Sequence, residues 1–272
     1  MILRRHIKSC CLFLALALSG NDTYSQKSSQ AEFNLTDQVF KAAFDGSDQR
    51  YVELLPKDFQ VGSPCDLMIG LHGHGSDRWQ FATGGCSECQ AFRTTAAKNK
   101  MIAVSPDYRA RTSWMGPAAE ADMIQMIGKL RNKYPIRKIY LIGGSMGGTS
   151  ALTFAALHPE LIDGVTAMNG HANHLEYENF QFHIAESFGG SKAAIPEEYK
   201  KRSAEYWPEK LIMPIAFTVG ELDKSVPPDS VIRLAATLKK IGRSVMLINH
   251  PLGGHSTSFY EAMSAMEFMI SH

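Results

Sequence analysis

Surplus charge is what this sequence most plainly lacks. In 272 residues, 28 Lys and Arg face 27 Asp and Glu, for a formal net charge of +1. No dense Lys/Arg run is present, so no overall field favours nucleic acid. A membrane-length apolar run is missing as well: the N-terminal one, Cys10–Leu18, falls well short of the ~20 residues a span needs. Cysteines number 5, and no internal repeat or low-complexity tract is found. The length suits one large α/β domain or two small ones, and a domain of that size buries a core without staples.

The first residues do something separate. Arg4, Arg5 and Lys8 precede the run "CCLFLALAL", and small and polar residues follow it. That order is read as a secretory signal peptide over residues 1–25, with cleavage after Ser25. Secreted or periplasmic localisation is expected, with no membrane contact once the peptide is removed. Residues 26–38 are read as a flexible lead-in and 39–272 as the domain. Three cysteines would remain, Cys65, Cys86 and Cys89, so at least one is expected free or unusually paired. The "CSEC" spacing fits a local disulfide or buried thiols better than a zinc site, which needs a second pair.

Short apolar runs alternate with helical patterns. Val39–Phe44 and Arg50–Leu55 flank "DGSD", a hairpin signal. Leu67–Leu71, Met101–Ser105, Ile139–Ile142, Val165–Met168, Ile215–Val219 and Val245–Ile248 read as buried strands. Ala91–Lys98, Ala118–Lys133, Ser150–Leu157, Asp229–Ile241 and Phe259–Ile270 read as helices. Strands that are apolar throughout and alternate with helices predict a mostly parallel sheet covered on both faces. Ligands of open α/β sheets sit at the carboxyl ends of the strands.

At one such end stands "IYLIGGSMGGTSAL". Gly143-Gly144-Ser145-Met146-Gly147 is a G-x-S-x-G, placed between a strand and a helix. A sharp turn there projects the serine hydroxyl above the sheet, and side chains at positions 143 and 147 would collide with neighbouring elements. The helix that follows aims backbone N–H groups at negative charge forming over the serine. No Lys follows the glycines as a phosphate-binding loop requires.

On these residues the chain resembles the α/β-hydrolase superfamily, from about Val39 to His272, and more loosely the prolyl oligopeptidase catalytic domain and related small secreted esterases. The resemblance implies an α/β-hydrolase fold with a small cap insertion at about 169–214. The order serine, acid, histidine then points to Ser145, Asp223 in "GELDKSVPP" and His255 in "NHPLGGHSTSF". Glu221 and His250 are the competing acid and base, and Asp107 reads as a structural carboxylate. The oxyanion hole would use the N–H of Met146 and, in the loop His72-Gly73-His74-Gly75, that of His74. A metal at His72 and His74, with His171 and His174 nearby, is the alternative reading of those histidines. Tyr108, Arg111 and Trp114 in "DYRARTSWMGP" either wall a substrate pocket or pack under their loop. The Tyr/Lys/Arg run of the insertion reads as a solvated helix face.

The expectation is a secreted serine hydrolase, foremost a carboxylic ester hydrolase working through an acyl-enzyme on a small-molecule or polysaccharide ester, such as acetyl or feruloyl groups. A serine peptidase of prolyl oligopeptidase type and a non-catalytic carbohydrate-binding relative are the alternatives. No cofactor is implied and no nucleic-acid partner.

Overall fold

The computed structural model describes residues 32–272; the signal peptide expected over residues 1–25 lies outside them. An eight-stranded sheet runs through the described chain in the order β1-β2-β4-β3-β5-β6-β7-β8. Its strands are β1 Phe33–Lys41, β2 Asp48–Pro56, β3 Cys65–Leu71, β4 Ile102–Pro106, β5 Ile136–Gly144, β6 Gly164–Met168, β7 Ile215–Gly220 and β8 Val245–His250. β1 with β2 and β2 with β4 pair antiparallel, and every later pairing is parallel. The helices are α1 Trp79–Thr83, α2 Ser87–Lys98, α3 Pro117–Lys133, α4 Met146–Leu157, α5 Gln181–Phe188, α6 Pro196–Lys201, α7 Asp229–Lys240 and α8 Phe259–Ser271.

The two-residue period of the strands divides the core. Leu67, Ile69 and Leu71 of β3 and Ile139 and Leu141 of β5 point to one face, where Met123 and Met126 of α3 and Leu234 of α7 cover them. Met68, Tyr140 and Ile142 point to the other, under Phe92 of α2 and Met266 of α8. Apolar side chains on both sides are why these strands show no polar alternation. Each large aliphatic removed from water here contributes about 1.5–3 kcal/mol.

Element boundaries shift at two places. The lead-in over residues 26–38 is too long, because β1 already begins at Phe33. Its burial alternates irregularly along an edge strand, so polar residues such as Asn34, Asp37 and Gln38 mask the strand pattern. The helix expected from Ser150 starts at Met146. Gly147 and Gly148 are poor helix formers, but every residue of that helix up to Ala156 is buried, and packing overrides propensity.

Between β6 and β7, the stretch 169–214 carries α5, α6 and two short 3₁₀ turns, Ala204–Tyr206 and Pro208–Lys210. Its basic run is solvated only in part, with Lys201 exposed. Tyr199 is wholly buried, and Arg202 reaches the Met115 carbonyl at 2.6 Å, Glu120 at 2.7 Å and Glu198 at 2.6 Å. Ser187 of α5 donates to the Ser113 carbonyl and accepts from the Gly116 N–H. The insertion is thus clamped to the loop that precedes α3.

Candidate active site

Ser145 sits between the last residue of β5 and the first of α4 with φ 57° and ψ −123°. A non-glycine residue with this backbone is strained, by about 1–3 kcal/mol, and must be held by its surroundings. Its N–H donates to the Met168 carbonyl at the end of β6. The flanking glycines make the turn possible. A Cβ on Gly143 would lie 2.2 Å from the Gly147 carbonyl, and one on Gly147 would lie 2.0 Å from the Leu71 carbonyl at the end of β3.

The other two candidate positions arrive by the same strand-end logic. Asp223 follows β7 and His255 follows β8. The Ser145 hydroxyl lies 2.9 Å from His255 Nε2, and His255 Nδ1 lies 2.6 Å from Asp223 Oδ2. The other Asp223 oxygen accepts the N–H groups of Ser225 and Val226, both at 2.9 Å. The carboxylate is therefore fixed, buried and aimed at the ring, while the imidazole is one-third exposed. Glu221 instead accepts from Asn249, and His250 faces Glu261, so neither competitor joins the group. Asp107 holds the Arg78 backbone and guanidinium, a structural task.

The β3–α1 loop stands opposite. The Gly73 N–H donates to Gln80 Oε1 at 2.8 Å, and the position a Gly73 Cβ would take lies 3.8 Å from Ser145 Cβ. Among the described residues, no hydrogen bond engages the N–H of His74 or of Met146. Gln80, seven residues on, fixes that backbone group, and the sequence did not reveal it because no local motif marks a side-chain to backbone bond of this kind. The His72 ring nitrogens lie 2.8 and 3.0 Å from the Gly73 and Asp107 carbonyls, which commits that side chain to the loop. Among the described residues, no three His, Cys, Asp or Glu side chains converge as metal ligands.

Tyr108 and Trp114 require correction as wall residues. Both are buried, and the Tyr108 hydroxyl donates to the His72 carbonyl at 2.6 Å. Trp114 lies beneath an aromatic layer, with ring centroids 5.9 Å from His74, 5.8 Å from His171 and 5.6 Å from Phe180. The exposed aromatics come from the insertion instead. Phe180 and His183 pack on His74 at 4.5 and 4.8 Å, and Phe182 beside them is 76% exposed. Burial, then the charges of His183 and His72, hold the His74 imidazole below its usual pKa.

The family model described as alpha/beta hydrolase fold matches residues 105–205. A protein of Serratia proteamaculans (strain 568) named a carbamate hydrolase is 28% identical over 120 residues, or 44% of this chain and 42% of that protein. The chain therefore matches less than half of that relative's length. The substrate-bound fluorophosphonate-binding serine hydrolase F of Staphylococcus aureus superposes with a TM-score of 0.67 at 15% identity, over 87% of this chain and 97% of that one. The acylaminoacyl peptidase of Pyrococcus horikoshii superposes with a TM-score of 0.66 at 16% identity, over 88% of this chain and 41% of that one.

Proposed function

We propose that this chain, which has the α/β-hydrolase fold, is a serine hydrolase of carboxylic esters. The observation that carries the reading is the continuous line from Ser145 Oγ through the His255 imidazole to Asp223, with contacts of 2.9 and 2.6 Å. In this reading His255 takes the proton as Ser145 attacks the ester carbonyl. Asp223 holds the Nδ1–H tautomer and balances the imidazolium. The N–H groups of His74 and Met146 receive the oxyanion, which is the largest electrostatic contribution in such chemistry. Collapse expels the alcohol, protonated by His255. Water, deprotonated by the same imidazole, then releases the acid from the acyl-enzyme.

The substrates proposed are acetyl or feruloyl esters of polysaccharide, met outside the cytoplasm after removal of the N-terminal segment. Phe180, packed on His74 and 39% exposed, would offer a face to an aromatic acyl group.

The test is a panel of p-nitrophenyl acetate, methyl ferulate, acetylated xylan and an alanyl-proline anilide, run with the chain and with Ser145→Ala. Ester turnover that falls by about 10⁴-fold or more in the variant supports the reading. Full activity in the variant overturns it, and amide turnover above ester turnover would make the chain a peptidase.

A further inference from the structure

A cavity of about 430 Å³ opens between the segment after β6 and the start of α7. That is within the range of small-ligand sites, about 300–1,000 Å³. His171 and Tyr177 line it on one side, and Pro227, Asp229 and Arg233 on the other. It adjoins the proposed catalytic group: the Tyr177 hydroxyl donates to the Ser225 carbonyl at 2.8 Å, and Asn179 donates to the same carbonyl at 2.9 Å. Ser225 is two residues from Asp223.

The lining chemistry is selective. His171 is 2% exposed, and neither of its ring nitrogens has a hydrogen-bond partner of good geometry. A buried polar group left so is costly, by about 1–3 kcal/mol, and calls for a partner. Burial holds this ring neutral, with only the Asn173 backbone acting the other way. A neutral imidazole offers one donor and one acceptor, the same pair that a hydroxyl group offers in return. The Tyr177 ring, 5% exposed, stacks flat on it at 4.0 Å and 21° and so fixes the orientation of the imidazole at the cavity wall.

The charged groups around the cavity are already committed. Arg233 binds Glu205 at 2.6 Å and Glu176 at 2.5 Å, and Glu178 binds Lys192 at 2.7 Å. An anion would find no uncommitted cation among the lining residues. The remaining carboxylate, Asp229, stands in the first turn of α7, where the helix dipole offsets its charge. What remains is a set of hydrogen-bonding groups with little net pull on either sign.

We propose that this cavity is a subsite for a neutral sugar ring, held by hydrogen bonds to His171 and Asp229. The binding stands on the cavity alone; its role, to hold a polysaccharide while a neighbouring ester meets Ser145, rests on the ester-hydrolase reading.

The experiment is titration calorimetry of the full chain with xylotetraose and cellotetraose, with choline and inorganic phosphate as charged controls. p-Nitrophenyl acetate hydrolysis is followed in parallel. The expected result is binding of at least one tetraose, weakened about tenfold by His171→Phe and severalfold by Asp229→Ala. Hydrolysis of the small ester should stay within about twofold of the parent in both variants. Asp229 is exposed, so its variant keeps the test valid if the buried His171 substitution fails to fold. The proposal falls if neither tetraose binds below about 10 mM, if binding is unchanged in Asp229→Ala, or if choline or phosphate binds in place of the tetraoses. Tetraose binding by a chain that hydrolyses no ester would leave the subsite standing and remove the hydrolase reading.

Discussion

Ser145 shows how much a single residue depends on groups far from it in sequence. Its left-handed backbone is tolerable because Gly143 and Gly147 remove two collisions and Met168 takes its N–H. Gly147→Ala would set a methyl group 2.0 Å from the Leu71 carbonyl, where backbone must move. Such overpacking should cost about 3 kcal/mol and be seen as a lower urea midpoint, with ester turnover lost along with it. A variant that melts like the parent would mean the turn is looser than it stands here. The buried histidines take up a proton only at lower pH than a free imidazole does. Burial pushes His171 down to about 3 and His174 well below its ordinary value. In the unfolded chain both would titrate near 6.5. The unfolded state therefore binds more protons below about pH 6.5, and stability must fall as pH falls from there toward 3. The slope is at most about 1.4 kcal/mol per pH unit for each ring. Urea unfolding at pH 7 and pH 5 should show the loss, and His171→Gln should make it smaller; an equal loss in parent and variant would contradict the assignment.

At the scale of elements, the insertion and the loop before α3 behave as one unit. Arg202 is the joint between them, buried against Glu120, Glu198 and the Met115 carbonyl. Removing one partner from a buried ionic group is costly, about 3–5 kcal/mol. Arg202→Ala should therefore lower the urea midpoint strongly. Arg202→Lys should recover little, since one ammonium cannot span three acceptors set around a planar guanidinium. The sequence pattern suggested a solvated run here because Lys200, Lys201 and Arg202 look alike on paper. Their difference lies in which face of a six-residue helix and its cap meets α3.

For the molecule as a whole, the cysteines report on how the chain is closed. Cys86 and Cys89 form a disulfide at the start of α2, and Cys65 is a free thiol buried at the start of β3. Burial, with the Asp66 charge adding to it, raises the Cys65 pKa and keeps the reactive thiolate scarce. A chain beginning at residue 26 should show no fast-reacting thiol to an aromatic disulfide reagent when native, and one when unfolded in denaturant. Three thiols in denaturant without added reductant would mean that the Cys86–Cys89 bond is absent.

The local pattern in the amino acids was enough to mark the α/β alternation and the strand-to-helix serine. Both are written in short range: apolar runs of strand length, and glycines two residues either side of Ser145. Asp223 and His255 were legible once the strand order was, because strand ends of a parallel sheet return to one edge. Tertiary structure alone decided the rest. Whether Trp114 faces a ligand or the core depends on what the insertion lays over it, and Phe180 and Phe182 take the exposed places instead. Gln80 on Gly73, Arg202 on Met115, and His171 and Asp229 around one cavity bring together residues 7, 87 and 58 positions apart. Sequence spacing carries no trace of such pairings, since they are set by how packed layers meet and not by the period of any one element.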